Sequence, residues 1–169
     1  MRTIISAIAV LLLSACGSPS NTTATTSATA AATSLAVGKT GAATGIEIAV
    51  TSVKQTNQVA NAKLVPLAGP QETYVVIKYT IKNTGSAPLP ALSHPELDLV
   101  DPNGQVYSKD AMTTALVGAM QGAQDMASDI NPGITIKSAA VWKVAKQGFD
   151  LGTWKVVART DPALEFKLK

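Results

Sequence analysis

The chain has 169 residues, of which 46% are hydrophobic and 15% charged, and its 14 Lys and Arg against 11 Asp and Glu give a formal charge of +3. A single cysteine excludes an intramolecular disulfide, and a single histidine excludes the usual cluster of His and Cys ligands around zinc. The lysines are scattered along the sequence, with no basic stripe interleaved with aromatics, so no nucleic acid is expected as a partner and the weak positive charge is no membrane anchor by itself.

The opening residues have the three-part layout of a secretory signal peptide: Arg2 is positive, Ile4 to Leu13 are mostly apolar, and Ser14 and Ala15 are small. The apolar run is too short to cross a bilayer, which takes about 20 residues. Leu13-Ser14-Ala15-Cys16 resembles the lipobox of bacterial lipoproteins. The resemblance implies that residues 1–15 are removed and that Cys16, lipidated on its thiol, becomes the first mature residue. Each buried methylene contributes about 0.8 kcal/mol, so a lipoprotein's several acyl chains give lasting attachment where one chain is marginal. The expected location is therefore the bacterial cell envelope, membrane-anchored by lipid, with the folded part periplasmic or extracellular. Residues 16–36, rich in Ser, Thr and Ala and almost without large side chains, cannot bury enough surface to offset ordering entropy. They read as a flexible tether.

Residues 37–169 are long enough for one domain with its own core. Strand signals dominate. Ile46, Ile48 and Val50 share one side of a two-residue repeat, and Val75, Ile77, Tyr79 and Ile81 do so in the run ETYVVIKYTIKNTG, opposite Lys78, Thr80 and Lys82. Asn83-Thr84-Gly85 ends that strand. Leu97, Leu99 and Val100 lead into Asp101-Pro102-Asn103-Gly104, which predicts a hairpin returning through Gln105 to Tyr107. Asn131-Pro132-Gly133 launches a strand with Ile134, Ile136, Trp142 and Val144 in one parity, and Leu164, Phe166 and Leu168 alternate with Glu165 and Lys167. Short strands between Gly, Pro and Asn turns predict an all-β, two-sheet sandwich. Between Ala111 and Met126, Met112, Leu116, Ala119, Met120, Ala123 and Met126 recur at helical spacing, with Gly118 and Gly122 weakening the helix. A short helix or helical loop is expected here, draped over one end of the sandwich. Its methionines either plug the core or line a surface for a partner or apolar ligand.

The succession IEIAVTSV, YVVIKYTIKNTG, LDLVDPNGQVY, NPG and AAVWKV resembles a bacterial family of secreted domains of unknown function. It is similar to the immunoprotective extracellular protein group of immunoglobulin-like sandwiches. The resemblance implies an immunoglobulin-like β-sandwich over 37–169 without a family active site, and a phenylalanine where this chain has Trp142.

Candidates for chemistry are few. Ser93 and Pro95 beside His94 predict a solvated loop histidine, and no G-x-S-x-G elbow occurs. Glu96, Asp98, Asp101 and Asn103 lie near one another, but the first two share a strand face, the others belong to the turn, and the spacing is not that of a calcium loop. Asp125 and Asp129 read as a solvated helix end. The expected protein is non-catalytic, without cofactor or metal. It is a lipid-anchored binding or structural module whose partners are the membrane, through its anchor, and another envelope protein or surface polymer. Tyr107, Met112, Leu116, Met120 and Met126 form the candidate partner surface. An envelope carrier of a small apolar ligand, or an envelope hydrolase, is the alternative.

Overall fold

A computed structural model describes residues 33–60, 64–120 and 128–169. Residues 1–15, Cys16 and most of the 16–36 stretch lie outside the described residues, as do Gly122, Ala123, Asp125 and Met126. The described elements, in chain order, are β1 (Thr33–Leu35), β2 (Thr40–Ala43), β3 (Ile46–Thr56), β4 (Glu72–Asn83), a 3-10 turn (Ala91–Ser93), β5 (Leu97–Val100), β6 (Val106–Tyr107), α1 (Ala111–Met120), β7 (Thr135–Ala145), β8 (Lys155–Ala158) and β9 (Leu164–Lys167).

Alternation organises the central strand: Val75, Ile77, Tyr79 and Ile81 of β4 are buried on one face, while Lys78 on the other is exposed. β3 runs antiparallel beside β4 and buries Ile46, Ile48 and Val50 on the same side. A bulge between Val50 and Ser52 re-phases β3 so that Val53 also packs inward. β7 pairs with the other edge of β4 and sends Ile136, Ala140, Trp142 and Val144 into the core. Ile134 departs from that expected parity and is exposed, because it lies in the turn before the strand, its N–H bonded to the Asn131 carbonyl.

The sheets have the orders β2-β3-β4-β7 and β1-β9-β8-β5-β6. Leu97 and Leu99 of β5, Val156 of β8, and Leu164 and Phe166 of β9 face the first sheet's inward residues across one core. The molecule is thus a two-sheet sandwich with one short helix, as the strand pattern predicts. The folded body, however, includes Thr33–Leu35, inside the stretch read as tether, because β1 pairs in parallel with β9 and Leu35 packs on the core. Gly41 of β2 makes room for it: a β-carbon there would sit 2.5 Å from Leu35 Cδ1.

The K-N-T-G and N-P-G turns meet at Asn83, which is 2% exposed. Its Nδ2 donates to the carbonyls of Ala87 at 2.8 Å and Ile130 at 2.7 Å, and its Oδ1 accepts from the Gly85 N–H at 2.8 Å. Its main chain bonds Ile134 and Gly133, the latter at a φ of 77° that favours glycine. Two turns distant in sequence are therefore tied by one buried amide.

The helix is not draped over an end of the sandwich. α1 lies on the outer face of the four-stranded sheet, where Val117 packs with Tyr74 and Val76 of β4, Ala139 and Val141 of β7, and Val65 of the β3–β4 loop. β4 and β7 are in consequence buried on both faces along part of their length.

Candidate functional site

Asp110 starts α1. Its Oδ1 accepts the Thr113 N–H at 2.9 Å, satisfying a free donor of the first turn. Its own N–H donates to the Val141 carbonyl, and the Thr114 hydroxyl receives the Val141 N–H at 2.9 Å, so the first turn of the helix seals part of the open edge of β7. Thr113, Val117 and Gly118 point to the sheet. The predicted stripe points elsewhere: Met112 is 83% and Met120 54% exposed, and Leu116 is half-buried. The reading of Met112 and Met120 as core plugs is thereby corrected, because the inward face is set by residues 113 and 117. α1 contains no charged residue, so its solvent face, with Ala111, Ala115 and Ala119, is apolar throughout.

The β3–β4 loop extends that surface. Val65 is buried against Val117, and the Tyr74 hydroxyl donates to the Pro66 carbonyl at 3.2 Å, which fixes the loop and leaves Leu64 and Leu67 exposed on either side. Beside Ala139, which packs under α1, opens a groove of about 340 Å3 whose lining includes Thr51, Lys78, Thr80 and Lys137. Register places Lys137 opposite Thr80 and Ala139 opposite Lys78, so the two ammonium groups flank the groove diagonally. Neither has an acidic partner among the described residues.

Tyr107 does not join this surface. It packs half-buried on the main core, its ring 4.7 Å from that of Trp154, and its carbonyl accepts the Trp142 Nε1–H at 2.9 Å. The structure thus brings together Met112, Leu116 and Met120, separates Tyr107 from them, and adds Leu64, Leu67, Lys78 and Lys137. Met126 is outside the described residues.

The acidic groups are engaged structurally. Arg159 donates to both oxygens of Asp98, at 2.6 and 2.9 Å, and to Glu96 at 3.2 Å. These bonds, to Asp98 first, hold the guanidinium above its ordinary pKa. Asp101 Oδ1 accepts the N–H groups of Asn103 and Gln105, closing the predicted hairpin turn, and Asp129 accepts the Ala91 N–H.

His94 contradicts the expectation of a solvated loop residue. It is 9% exposed, and neither ring nitrogen has a hydrogen-bond partner among the described residues. A buried polar group without a partner costs about 1–3 kcal/mol. The substitution His94→Leu is therefore expected to raise the unfolding free energy by about 1 kcal/mol in a urea titration; a loss of stability would show that the ring is satisfied.

Burial raises the Tyr79 phenol above its ordinary pKa of 10.0; a hydrogen bond with Ser138 opposes the shift and the Glu96 charge adds to it. The folded state thus holds this proton more tightly than the unfolded one. Stability is independent of the group below about pH 10 and falls as pH rises beyond it. Substituting Tyr79→Phe should flatten that alkaline decline in denaturation curves taken from pH 8 to 11, and an unchanged slope would contradict the assignment.

The chain matches a family model described as a domain of unknown function, DUF4352, over residues 35–150. That span includes α1 and both strands beneath it, and stops before β8 and β9. The chain is 29% identical over 133 residues to the uncharacterized protein YxkC of Bacillus subtilis (strain 168), covering 78% of this chain and 74% of that protein. A conserved hypothetical protein from Bacillus anthracis has a similar crystal structure, with a TM-score of 0.67 at 21% identity, over 80% of this chain and 95% of that one. An uncharacterized β-sandwich protein from Clostridium difficile 630 matches with a TM-score of 0.52 at 15% identity, over 82% and 95% of the two chains.

Proposed function

We propose that this chain, which belongs to the DUF4352 family of domains of unknown function, is a lipid-anchored binding module of the bacterial cell envelope. It docks through the outer face of its four-stranded sheet and performs no chemistry of its own. One observation carries the docking face: α1 has no charged residue, yet Met112 and Met120 stand in solvent. A helix that is apolar all round is ordinarily buried, and a contiguous exposed apolar patch marks an interaction surface. Methionine suits the role, since its flexible, polarizable side chain repacks against varied partners. The engagement of Glu96, Asp98, Asp101 and Asp129 in ion pairs and turns supports a non-catalytic reading.

The anchor rests on the lipobox-like L-S-A-C and on composition. Residues 17–32 separate Cys16 from β1 and have the make-up of a flexible linker, with a reach of roughly 22 Å. Tethering on that scale raises the local concentration of the docking face to about millimolar, so a weak contact suffices.

A photo-crosslinking residue in place of Met112 is expected to capture a neighbour in intact cells. The same residue in place of Lys167, exposed on the other sheet, should capture far less. Equal yields at the two positions would overturn the docking face, and a mature chain whose intact mass shows no diacylglyceryl group on Cys16 would overturn the anchor.

A further inference from the structure

We infer that the surface docked by this face is an anionic lipid bilayer, with α1 and the β3–β4 loop seated among the headgroups and lysines on the phosphates. The inference rests on the docking face proposed above and names its occupant. Charge is its first support. The outward positions of the four-stranded sheet carry five lysines, Lys54, Lys78, Lys82, Lys137 and Lys143, against two glutamates. Both glutamates are matched, Glu47 by Lys82 at 3.2 Å and Glu72 by Lys143 at 3.7 Å. Lys54, Lys78 and Lys137 are left without an acidic partner among the described residues. On the opposite sheet Asp98 and Glu165 are paired with Arg159 and Lys155. The strands of that sheet thus balance Asp98 and Glu165 against Lys155 and Lys167, whereas the outward positions of the sheet that bears α1 keep three lysines in excess, so a protein of only modest net charge is polarised toward that face.

Apolar chemistry on the same face is the second support. Met112, Met120, Leu64 and Leu67, four exposed large side chains, belong to the two segments that share the small apolar cluster over Tyr74 and Val76. Ala139 lies under α1 and also lines the lysine groove, so the apolar and basic parts adjoin. Lysines flanking a shallow apolar ridge fit the interface between headgroups and acyl chains. The expected orientation follows: the four-stranded sheet faces the membrane and the five-stranded sheet faces away.

The test uses the full chain, expressed in a bacterium that processes lipoboxes, purified in detergent and reconstituted into vesicles with brominated acyl chains. Trp142 and Trp154 are 0% and 6% exposed, so bromine quenching reports on a newly introduced indole. In phosphatidylglycerol vesicles the Met112→Trp variant should be strongly quenched and the Lys167→Trp variant should not. Each of Lys78→Gln and Lys137→Gln, added to Met112→Trp, should lower the ratio of docked to undocked chains about fivefold. Phosphatidylcholine vesicles or 0.5 M salt should abolish the quenching. Both lysines are exposed, and unchanged urea midpoints verify that the variants fold. Absence of quenching at position 112 in anionic vesicles overturns the lipid occupant, as does quenching indifferent to the lysines. If quenching fails while a protein is still captured from position 112 in cells, the docking face stands and its occupant is that protein. Failure of both removes the face itself.

Discussion

Substituting Asn83→Ala is expected to lower the unfolding free energy by about 2–4 kcal/mol, although only a small side chain is shortened. The reason is the number of groups that depend on it. Removing the amide strips one hydrogen bond from each of three groups: the Ala87 carbonyl, the Ile130 carbonyl at a fully buried bond, leaving it the Leu89 N–H, and the Gly85 N–H, leaving it the Gly45 carbonyl. Asn83→Asp should be comparably damaging, since a carboxylate oxygen would then face two carbonyl oxygens. In a urea titration the midpoint should fall with the slope unchanged, the sign of lost stability rather than altered unfolding. A loss below about 1 kcal/mol would mean that the two turns hold each other without the amide.

The second large effect belongs to Trp142, which is fully buried between the sheets. Trp142→Ala should cost about 3–5 kcal/mol through lost burial and the cavity left behind. Trp142→Phe separates packing from hydrogen bonding. It keeps an aromatic ring but removes the Nε1–H that reaches the Tyr107 carbonyl, the bond linking β7 to the edge of the other sheet. A cost of about 1–2 kcal/mol is expected for this substitution. If Trp142→Phe proves neutral, the phenylalanine implied by the family resemblance fills the site equally well and the bond adds nothing. Thermal and urea unfolding of the two variants in parallel distinguish these outcomes.

The main strands were legible because burial on one face imprints a two-residue period: Val75 to Ile81, Leu97 to Leu99 and Leu164 to Leu168 all lie as their spacing predicts. The turns were legible because Asn and Gly chemistry is local. β1 and β2 are not, since Thr-Ser-Leu and Thr-Gly-Ala-Ala lack any apolar rhythm and reach the core only through Leu35 and Ala43 once paired with β9 and β3. The helical spacing is legible but its inward face is not, because a segment without charged residues has no strongly preferred face; only packing on the sheet buries Thr113 and Val117 and leaves Met112 and Met120 outside. His94 sits among turn-forming neighbours yet is buried, an outcome that local composition does not encode. The lysines show the widest gap between sequence and fold. They look scattered along the chain, and the pairing of β4 with β7 sets Lys78 and Lys137 on one groove.

Hydroxyl-radical oxidation of Met112 and Met120 tests most directly whether the helical face works as a docking surface. Both thioethers are open in the isolated protein and should form sulfoxide readily there. In intact envelopes their oxidation, read by mass spectrometry of the resulting peptides, should fall severalfold, while the exposed Pro102 and Leu92 change little. Equal oxidation of Met112 and Met120 in the isolated protein and in the envelope would show that nothing covers this face where the protein lives, contradicting its role in docking.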